Sequence, residues 1–205
     1  MKTIDSLYRV EDGRVLIEMK LSSVAQLFNS FDPAPFHEKE LDNNAENYIL
    51  DVVNDFSPKT RFKIVVYLPD EIRETREARQ IPAAIESHFV YKSLMQTRKF
   101  RQRVVYGEFT LVVGLAFLAI ATIASLAVDS YSDSYPIAHF IANALGITGW
   151  VAMWEPVTTF LFKLWPIVRQ RKIYEKISQM EVEIRPYPKV PIPAPELVVK
   201  TPAKK

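Results

Sequence analysis

Two apolar segments joined by a short acidic connection constrain this chain more than any other feature. Residues 109–128 read FTLVVGLAFLAIATIASLAV, twenty residues without a charge, and residues 137–162 read IAHFIANALGITGWVAMWEPVTTFLF, twenty-six residues with one charge, that of Glu155. Because an α-helix rises about 1.5 Å per residue, each segment is long enough to cross the roughly 30 Å hydrocarbon layer of a bilayer. The sequence therefore predicts two transmembrane helices and makes the lipid bilayer the first expected partner.

The charges around the two segments predict their orientation. The connection, DSYSDSYP, contains two aspartates and no basic residue. Both outer flanks are basic, through Lys92, Arg98, Lys99, Arg101 and Arg103 before the first segment and Lys163, Arg169, Arg171, Lys172 and Lys176 after the second. Basic residues are retained on the cytoplasmic side of a membrane. We therefore expect a multi-pass helical hairpin with both termini in the cytoplasm.

The composition of the chain excludes several classes of functional site. The chain has 205 residues, a net charge of +2, five glycines and no cysteine. Without cysteine there is no disulfide, thiolate nucleophile or Cys-type metal site. The basic residues concentrate at the membrane flanks, where anionic lipids attract them, so we expect no nucleic-acid partner. The sequence contains no phosphate-binding loop, nucleophile elbow or HExxH motif, so we expect no catalytic residue, no cofactor and no enzymatic activity.

The residues before the first apolar segment carry the pattern of a small α/β domain. Val15–Leu21 alternates apolar and polar residues, which predicts a half-buried strand, and Phe62–Leu68 is nearly all apolar, which is typical of an interior strand. Between them, Asp42 or Asn43 can cap a helix over Ala45–Phe56. The order strand, helix, strand predicts a parallel pair of strands.

A third strand is predicted beyond the hairpin, where Met180–Arg185 alternates again. It can join the first two because both ends of the hairpin are expected on one side of the membrane. The predicted fold class is a membrane α-helical hairpin plus a small cytoplasmic α/β domain with a short, partly parallel sheet. The expected boundaries are residues 1–75 for the α/β domain, 76–106 for a cytoplasmic helix that leads into the membrane, 107–168 for the hairpin, 169–185 for a helix and strand that return to the domain, and 186–205 for a Pro-rich tail.

Small residues mark the expected packing faces of the hairpin. Gly114 and Ala121 are seven residues apart in the first segment, and Ala142 and Gly146 are four residues apart in the second. Small residues at helical spacing let two transmembrane helices approach closely. We expect one pair to close the hairpin and the other to be free for a partner.

Three polar residues in the second segment need an explanation. An acid near the centre of a bilayer costs about 2.5 to 3.5 kcal/mol and is a functional candidate by default. Glu155 is therefore interpreted as a partner contact or a pair with Lys or Arg, as an interfacial acid, or as part of an ion or proton path. His139 and Asn143 lie one helical turn apart and either contact another helix or line a polar path with Glu155.

An acidic loop is the one candidate metal site in the sequence. Asp32, His37, Glu38, Glu40 and Asp42 offer oxygen ligands and one imidazole, a set that suits Mg²⁺, Mn²⁺ or Zn²⁺. Their spacing matches no metal-binding loop, so we expect a solvated loop whose acids cap the next helix, and no metal. His88, by contrast, falls on the apolar stripe of its helix and is predicted to be a hydrogen-bonded core or interface histidine.

Three segments resemble an uncharacterised family of small bacterial membrane proteins. They are LFNSFDPAPFHEKELDNNAENYI (Leu27–Ile49), GWVAMWEP (Gly149–Pro156) and LWPIVRQRKIYEKI (Leu164–Ile177). The family combines a short cytoplasmic α/β domain with a transmembrane hairpin and a basic segment after it. In that family a basic residue often follows the second tryptophan of the GWVAMWEP segment, whereas this chain has Glu155 there. The resemblance, over about residues 15–185, implies an architecture and a bacterial inner (plasma) membrane but no chemistry.

The missing catalytic motifs, the small-residue faces and the Pro-rich tail favour a non-catalytic role. We expect an accessory or scaffold subunit of a membrane protein complex, which assembles with other subunits or with itself through its hairpin and cytoplasmic domain. One alternative is a small homo-oligomeric channel or transporter in which His139, Asn143 and Glu155 face a central path. The second alternative is a membrane-anchored metal-dependent hydrolase that uses the loop from Asp32 to Asp42.

Overall fold

The chain divides into two compact units. The structure is a computed structural model that describes residues 8–32, 39–131, 133 and 135–187. The first unit comprises the chain up to Lys92 and from Ile173 onward, and the second comprises Ser93–Lys172. The first unit is therefore built from residues on both sides of the two apolar segments.

A mixed four-stranded sheet forms the centre of the first unit. Its order is β1 (Val10–Glu11), β2 (Arg14–Lys20), β3 (Phe62–Leu68) and β4 (Glu181–Pro186). β2 pairs with β3, and β3 with β4, in parallel, whereas β1 and β2 form an antiparallel hairpin. Its turn is Asp12-Gly13, with φ angles of 50° and 72°, the left-handed conformation that a two-residue hairpin turn requires. The partly parallel sheet is as predicted; the short β1 is an addition.

Helices cover one face of this sheet. α1 (Asn43–Asp55) begins at Asp42, whose carboxylate accepts a hydrogen bond from the Asn44 amide at 2.8 Å. The short helix α2 (Asp70–Arg73) follows β3. The hydrophobic core then combines residues of the strands and helices that are fully shielded from solvent, among them Ile17, Ile49, Ile64, Leu68, Ile81, Ile85 and Phe89.

One helix contributes to both units. α3 (Arg76–Asp129) has 54 residues without interruption, and Pro82 lies inside it. The helix begins before the proline because the Thr75 hydroxyl accepts a hydrogen bond from the Ala78 amide at 3.3 Å, as an N-terminal cap does. Two stretches, Arg76–Asp129 and Ile137–Ser178, are long and apolar enough to cross a membrane.

The second apolar stretch is not one regular helix. α4 (Pro136–Ala152) is followed by α5 (Trp154–Thr158), a π-helical turn (Thr159–Lys163) and α6 (Leu164–Ser178). Each irregularity lies four residues before a proline: α4 ends at Ala152, before Pro156, and the π turn contains Phe162, before Pro166. Proline lacks the amide that would bond the carbonyl four residues back, and its ring crowds that carbonyl. The two prolines therefore account for both interruptions of the predicted span over residues 137–162.

Candidate functional site

The helices of the second unit cross through small residues. A Cβ added to Gly149 would lie 3.0 Å from the Cβ of Ala121, and one added to Gly114 would lie 3.1 Å from the carbonyl oxygen of Ala152. Ala121 and Ala142 are both buried. Pro156 has no amide hydrogen, so it leaves the Ala152 carbonyl without its helical donor. α3 approaches this carbonyl oxygen so closely at position 114 that only a residue as small as glycine fits there.

Both predicted small-residue pairs lie in this one crossing. Ser125 of α3 donates a hydrogen bond to the carbonyl oxygen of Ala142 at 2.7 Å. A Cβ on Gly146 would meet Ser125 at 3.9 Å, which is ordinary van der Waals contact. The structure thus differs from the expectation that one pair is left for a partner, because Gly114, Ala121, Ala142 and Gly146 all face the opposite helix of the same hairpin.

Glu155 is paired within its own unit. The Lys163 ammonium donates to Glu155 Oε1 at 2.6 Å, and the buried Thr159 hydroxyl donates to the same oxygen at 3.4 Å. Lys163 is the last residue of the π turn, which begins at Thr159, four residues after Glu155. Of the interpretations drawn from the sequence, the geometry favours a pair between Glu155 and the neighbouring cation Lys163.

The structure does not bring the three candidate polar-path residues together. His139 Nδ1 lies 3.0 Å from Asp129 Oδ1, and both side chains are exposed. Glu155 lies sixteen residues further along the chain, about 24 Å away at the rise of a helix. Asn143 is exposed, and within the described part of the chain its side chain makes no hydrogen bond.

Asn143 belongs to an outward-facing stripe of α4 and α5. The stripe recurs at spacings of three and four residues and consists of His139, Asn143, Ile147, Trp150 and Trp154. Ile147, Trp150 and Trp154 are 66%, 71% and 75% exposed. We call this set the outer stripe. It combines large exposed side chains with one unpaired amide, and an amide of this kind can hydrogen-bond to another helix.

The acidic loop is described only in part. Asp32 Oδ2 accepts a hydrogen bond from the Glu40 amide at 2.7 Å, and Asp42 caps α1. His37 and Glu38 lie outside the described residues. Among the residues that the structure describes, no three metal-ligating side chains cluster. Asp32 and Asp42 thus accept hydrogen bonds from backbone amides.

A buried polar network, which the sequence did not predict as a unit, lies in the first unit. The Leu41 amide donates to His88 Nδ1 at 3.1 Å, so the ring proton resides on Nε2, which contacts Glu46 Oε2 at 3.1 Å. Lys92 Nζ lies 3.0 Å from the same oxygen, and the Tyr174 hydroxyl lies 3.5 Å from Oε1. The hydrogen bond from His88, together with Lys92, lowers the pKa of Glu46 to about 2.

This network connects α1, α3 and α6 through charge and hydrogen bonds. The prediction of His88 as a hydrogen-bonded core histidine is confirmed by its burial and its two partners. Its acidic partner is 42 residues away in sequence, so no local spacing marked it. Each polar atom named here has a partner inside the unit, which is how a structural network satisfies buried groups.

No family model matches the chain, and no curated protein or solved structure matches it either. The resemblance drawn from the three sequence segments therefore stays a prediction. Function has to be argued from the contacts described above.

Proposed function

We propose that this chain is a non-catalytic accessory or scaffold subunit of a membrane protein complex. Its hairpin crosses the bacterial inner membrane, both termini lie in the cytoplasm, and a partner helix packs on the outer stripe. The single observation that carries the proposal is Asn143, an exposed amide without a hydrogen bond in the described chain, on a helix apolar enough to span a bilayer.

The pairing of β3 with β4 supports the topology. β3 precedes both apolar helices and β4 follows them, yet Val66 and Ile184 are partners in one sheet. Strands of one sheet lie on one side of a membrane, so the chain between them crosses an even number of times. The two apolar stretches then supply two crossings, and the basic flanks favour the cytoplasm for the sheet.

The outer stripe supports a protein partner. Hydrocarbon offers no hydrogen bonds, so an amide that faces lipid loses those it makes in water. Polar residues in membrane helices instead face other helices, and each such contact contributes about 0.6 to 2 kcal/mol. The small residues already close the hairpin, and we place assembly on the outer stripe because it carries the unpaired amide.

The two alternatives have less support. A channel needs polar side chains free to face a pore, whereas Glu155 is paired with Lys163 and His139 with Asp129. A metal-dependent hydrolase needs the acidic loop, whose described aspartates accept hydrogen bonds from backbone amides. Subunit composition distinguishes the channel from the accessory subunit directly.

The test is the mass and composition of the native particle after gentle extraction. We expect other subunits, or a second copy, to co-purify with the wild-type chain. Asn143→Leu should weaken that association about 3- to 30-fold, the equivalent of one interhelical polar contact. Thr148→Val is the matched control, because Thr148 is also exposed on α4 but its hydroxyl donates to the Ala144 carbonyl of its own helix at 2.8 Å.

Three results would count against the proposal. A wild-type particle that contains a single copy of this chain and no other subunit leaves the proposal without support. If the native particle loses the same mass in both variants, the substitutions act on the stability of α4 and not on a contact through the outer stripe. A closed ring of this chain alone with a conducting pore favours the channel.

A further inference from the structure

We propose that a cleft between α3 and α6 binds the headgroup of an anionic glycerophospholipid from the cytoplasmic leaflet. This inference rests on the proposed insertion of the hairpin into a membrane. It adds a lipid site to the second unit, separate from the outer stripe, and assigns it a ligand of defined chemistry: a phosphodiester with a net negative charge.

The cleft is sizeable and positively charged. It has a volume of about 550 Å³, and its polar lining consists of Gln96, Lys99, Gln102, Arg103, Tyr106 and Gln170. Lys99 and Arg103 are one helical turn apart, so both present their charge to the same space. No acidic residue lines the cleft in the described part of the chain, so an anion meets two cations without an opposing carboxylate.

The position of the cleft fits a lipid headgroup. Tyr106 precedes the apolar segment of α3 by three residues, and Phe109, the first residue of that segment, is exposed. On the other helix, Trp165 is exposed next to the cleft residue Pro166. Tyrosine and tryptophan concentrate at the level of lipid headgroups. A headgroup in the cleft can therefore leave its acyl chains against the apolar surface that begins at Phe109.

The side chains indicate which headgroup is preferred. An arginine binds two phosphate oxygens at once, and a lysine adds a second positive charge. The three glutamines both donate and accept hydrogen bonds, which suits the hydroxyls of a glycerol headgroup. Phosphatidylcholine carries its own cation, which Lys99 and Arg103 would repel. Free phosphate shares the anionic chemistry but has no acyl chains for the apolar surface.

The experiment uses the full-length chain in nanodiscs of phosphatidylcholine with a minor fraction of phosphatidylglycerol. Native mass spectrometry then measures which lipids stay bound to the protein as collisional activation removes the nanodisc. We expect the wild type to retain phosphatidylglycerol preferentially, and Lys99→Gln with Arg103→Gln to reduce that preference about 30-fold, the loss expected for two surface cations. The matched control is Arg98→Gln with Arg101→Gln, which removes two exposed charges of the same helix that do not line the cleft.

The outcomes distinguish a specific lipid-binding site from general electrostatic attraction between anionic lipids and basic residues. Retained preference in the control and lost preference in the cleft variant support the inference. Equal loss in both variants, or no preference in the wild type, overturns it. Displacement of the lipid by inorganic phosphate shows a soluble-anion site and overturns the lipid assignment. If the wild type fails to insert into these mixed nanodiscs, the proposed function itself fails, which is a different result from insertion without lipid preference.

Discussion

The two units bury opposite kinds of residue. In the first unit, large apolar side chains such as Ile64 and Phe89 are inside, and a polar network is enclosed with them. In the second unit, small residues such as Gly149 and Ala121 are inside, and large apolar side chains such as Ile120 face outward. Water drives the first arrangement by excluding apolar surface. In lipid, where we propose that the second unit lies, that driving force is absent, and close approach of backbones takes its place.

The largest effect is expected when the same substitution, isoleucine to alanine, is made in each of the two units. Ile64 is 0% exposed and Ile120 is 67% exposed. Ile64→Ala leaves a cavity in the first unit and should lower its free energy of unfolding by about 2 to 5 kcal/mol. Ile120→Ala removes a side chain that faces outward and should change stability by less than about 1 kcal/mol. Thermal unfolding of the full chain in nanodiscs measures both; similar losses would contradict the contrast.

An intermediate effect is expected at the helix crossing. Gly149→Leu forces a side chain into a space where even a Cβ lies 3.0 Å from Ala121, and overpacking of this kind costs about 1 to 3 kcal/mol. Gly146→Leu is the matched control, because its Cβ meets only Ser125, at 3.9 Å. A pair of fluorophores on the two helices reports their separation. Equal separation in both variants would show that the crossing does not depend on the fit at Gly149.

A pH dependence is expected from the buried network. The pKa of Glu46 is lowered from 4.5 to about 2 by the hydrogen bond from His88 and by Lys92. Because the folded state favours the carboxylate, this stabilisation is complete above pH 4.5 and is lost as the pH falls towards 2. Glu46→Gln should flatten the stability profile in that window.

Glu183 provides the control for this measurement. Its pKa is also lowered to about 2, by hydrogen bonds from Arg185 and Lys63, but its side chain on β4 is 37% exposed. High salt should therefore weaken the contribution of Glu183 and leave that of Glu46 nearly unchanged. Two results would show that the network does not shield the charge of Glu46. One is a stability–pH profile that Glu46→Gln leaves unchanged, and the other is a pH dependence that high salt abolishes.

Local patterns predicted much of the first unit. β3 spans Phe62–Leu68 as expected, and Asp42 caps α1 because side-chain capping depends on neighbours in sequence. α3 begins at Arg76, the first residue of the helix expected over residues 76–106. Thr75 caps it there, and Pro82 lies inside the helix although proline favours the first turn.

What the sequence missed depends on contacts between distant residues. The spacing of Gly114 and Ala121 identifies a packing face, but only the crossing shows that its partner is the other helix of the same hairpin. Glu46 carries no local signal that His88 is its partner. The break at Met153 follows from Pro156, yet the close approach of Gly114 to the freed carbonyl is visible only in three dimensions.

The most direct test of the central claim is the sidedness of three single cysteines. The chain contains no cysteine, so Lys59→Cys, Asp133→Cys and Gln179→Cys each place one thiol at an exposed position before, between or after the apolar helices. With a membrane-impermeant maleimide, we expect labelling at position 133 in intact spheroplasts and at positions 59 and 179 only after lysis. Labelling of 59 and 179 on opposite sides, or protection of all three until lysis, would contradict an α/β domain interrupted by a membrane hairpin.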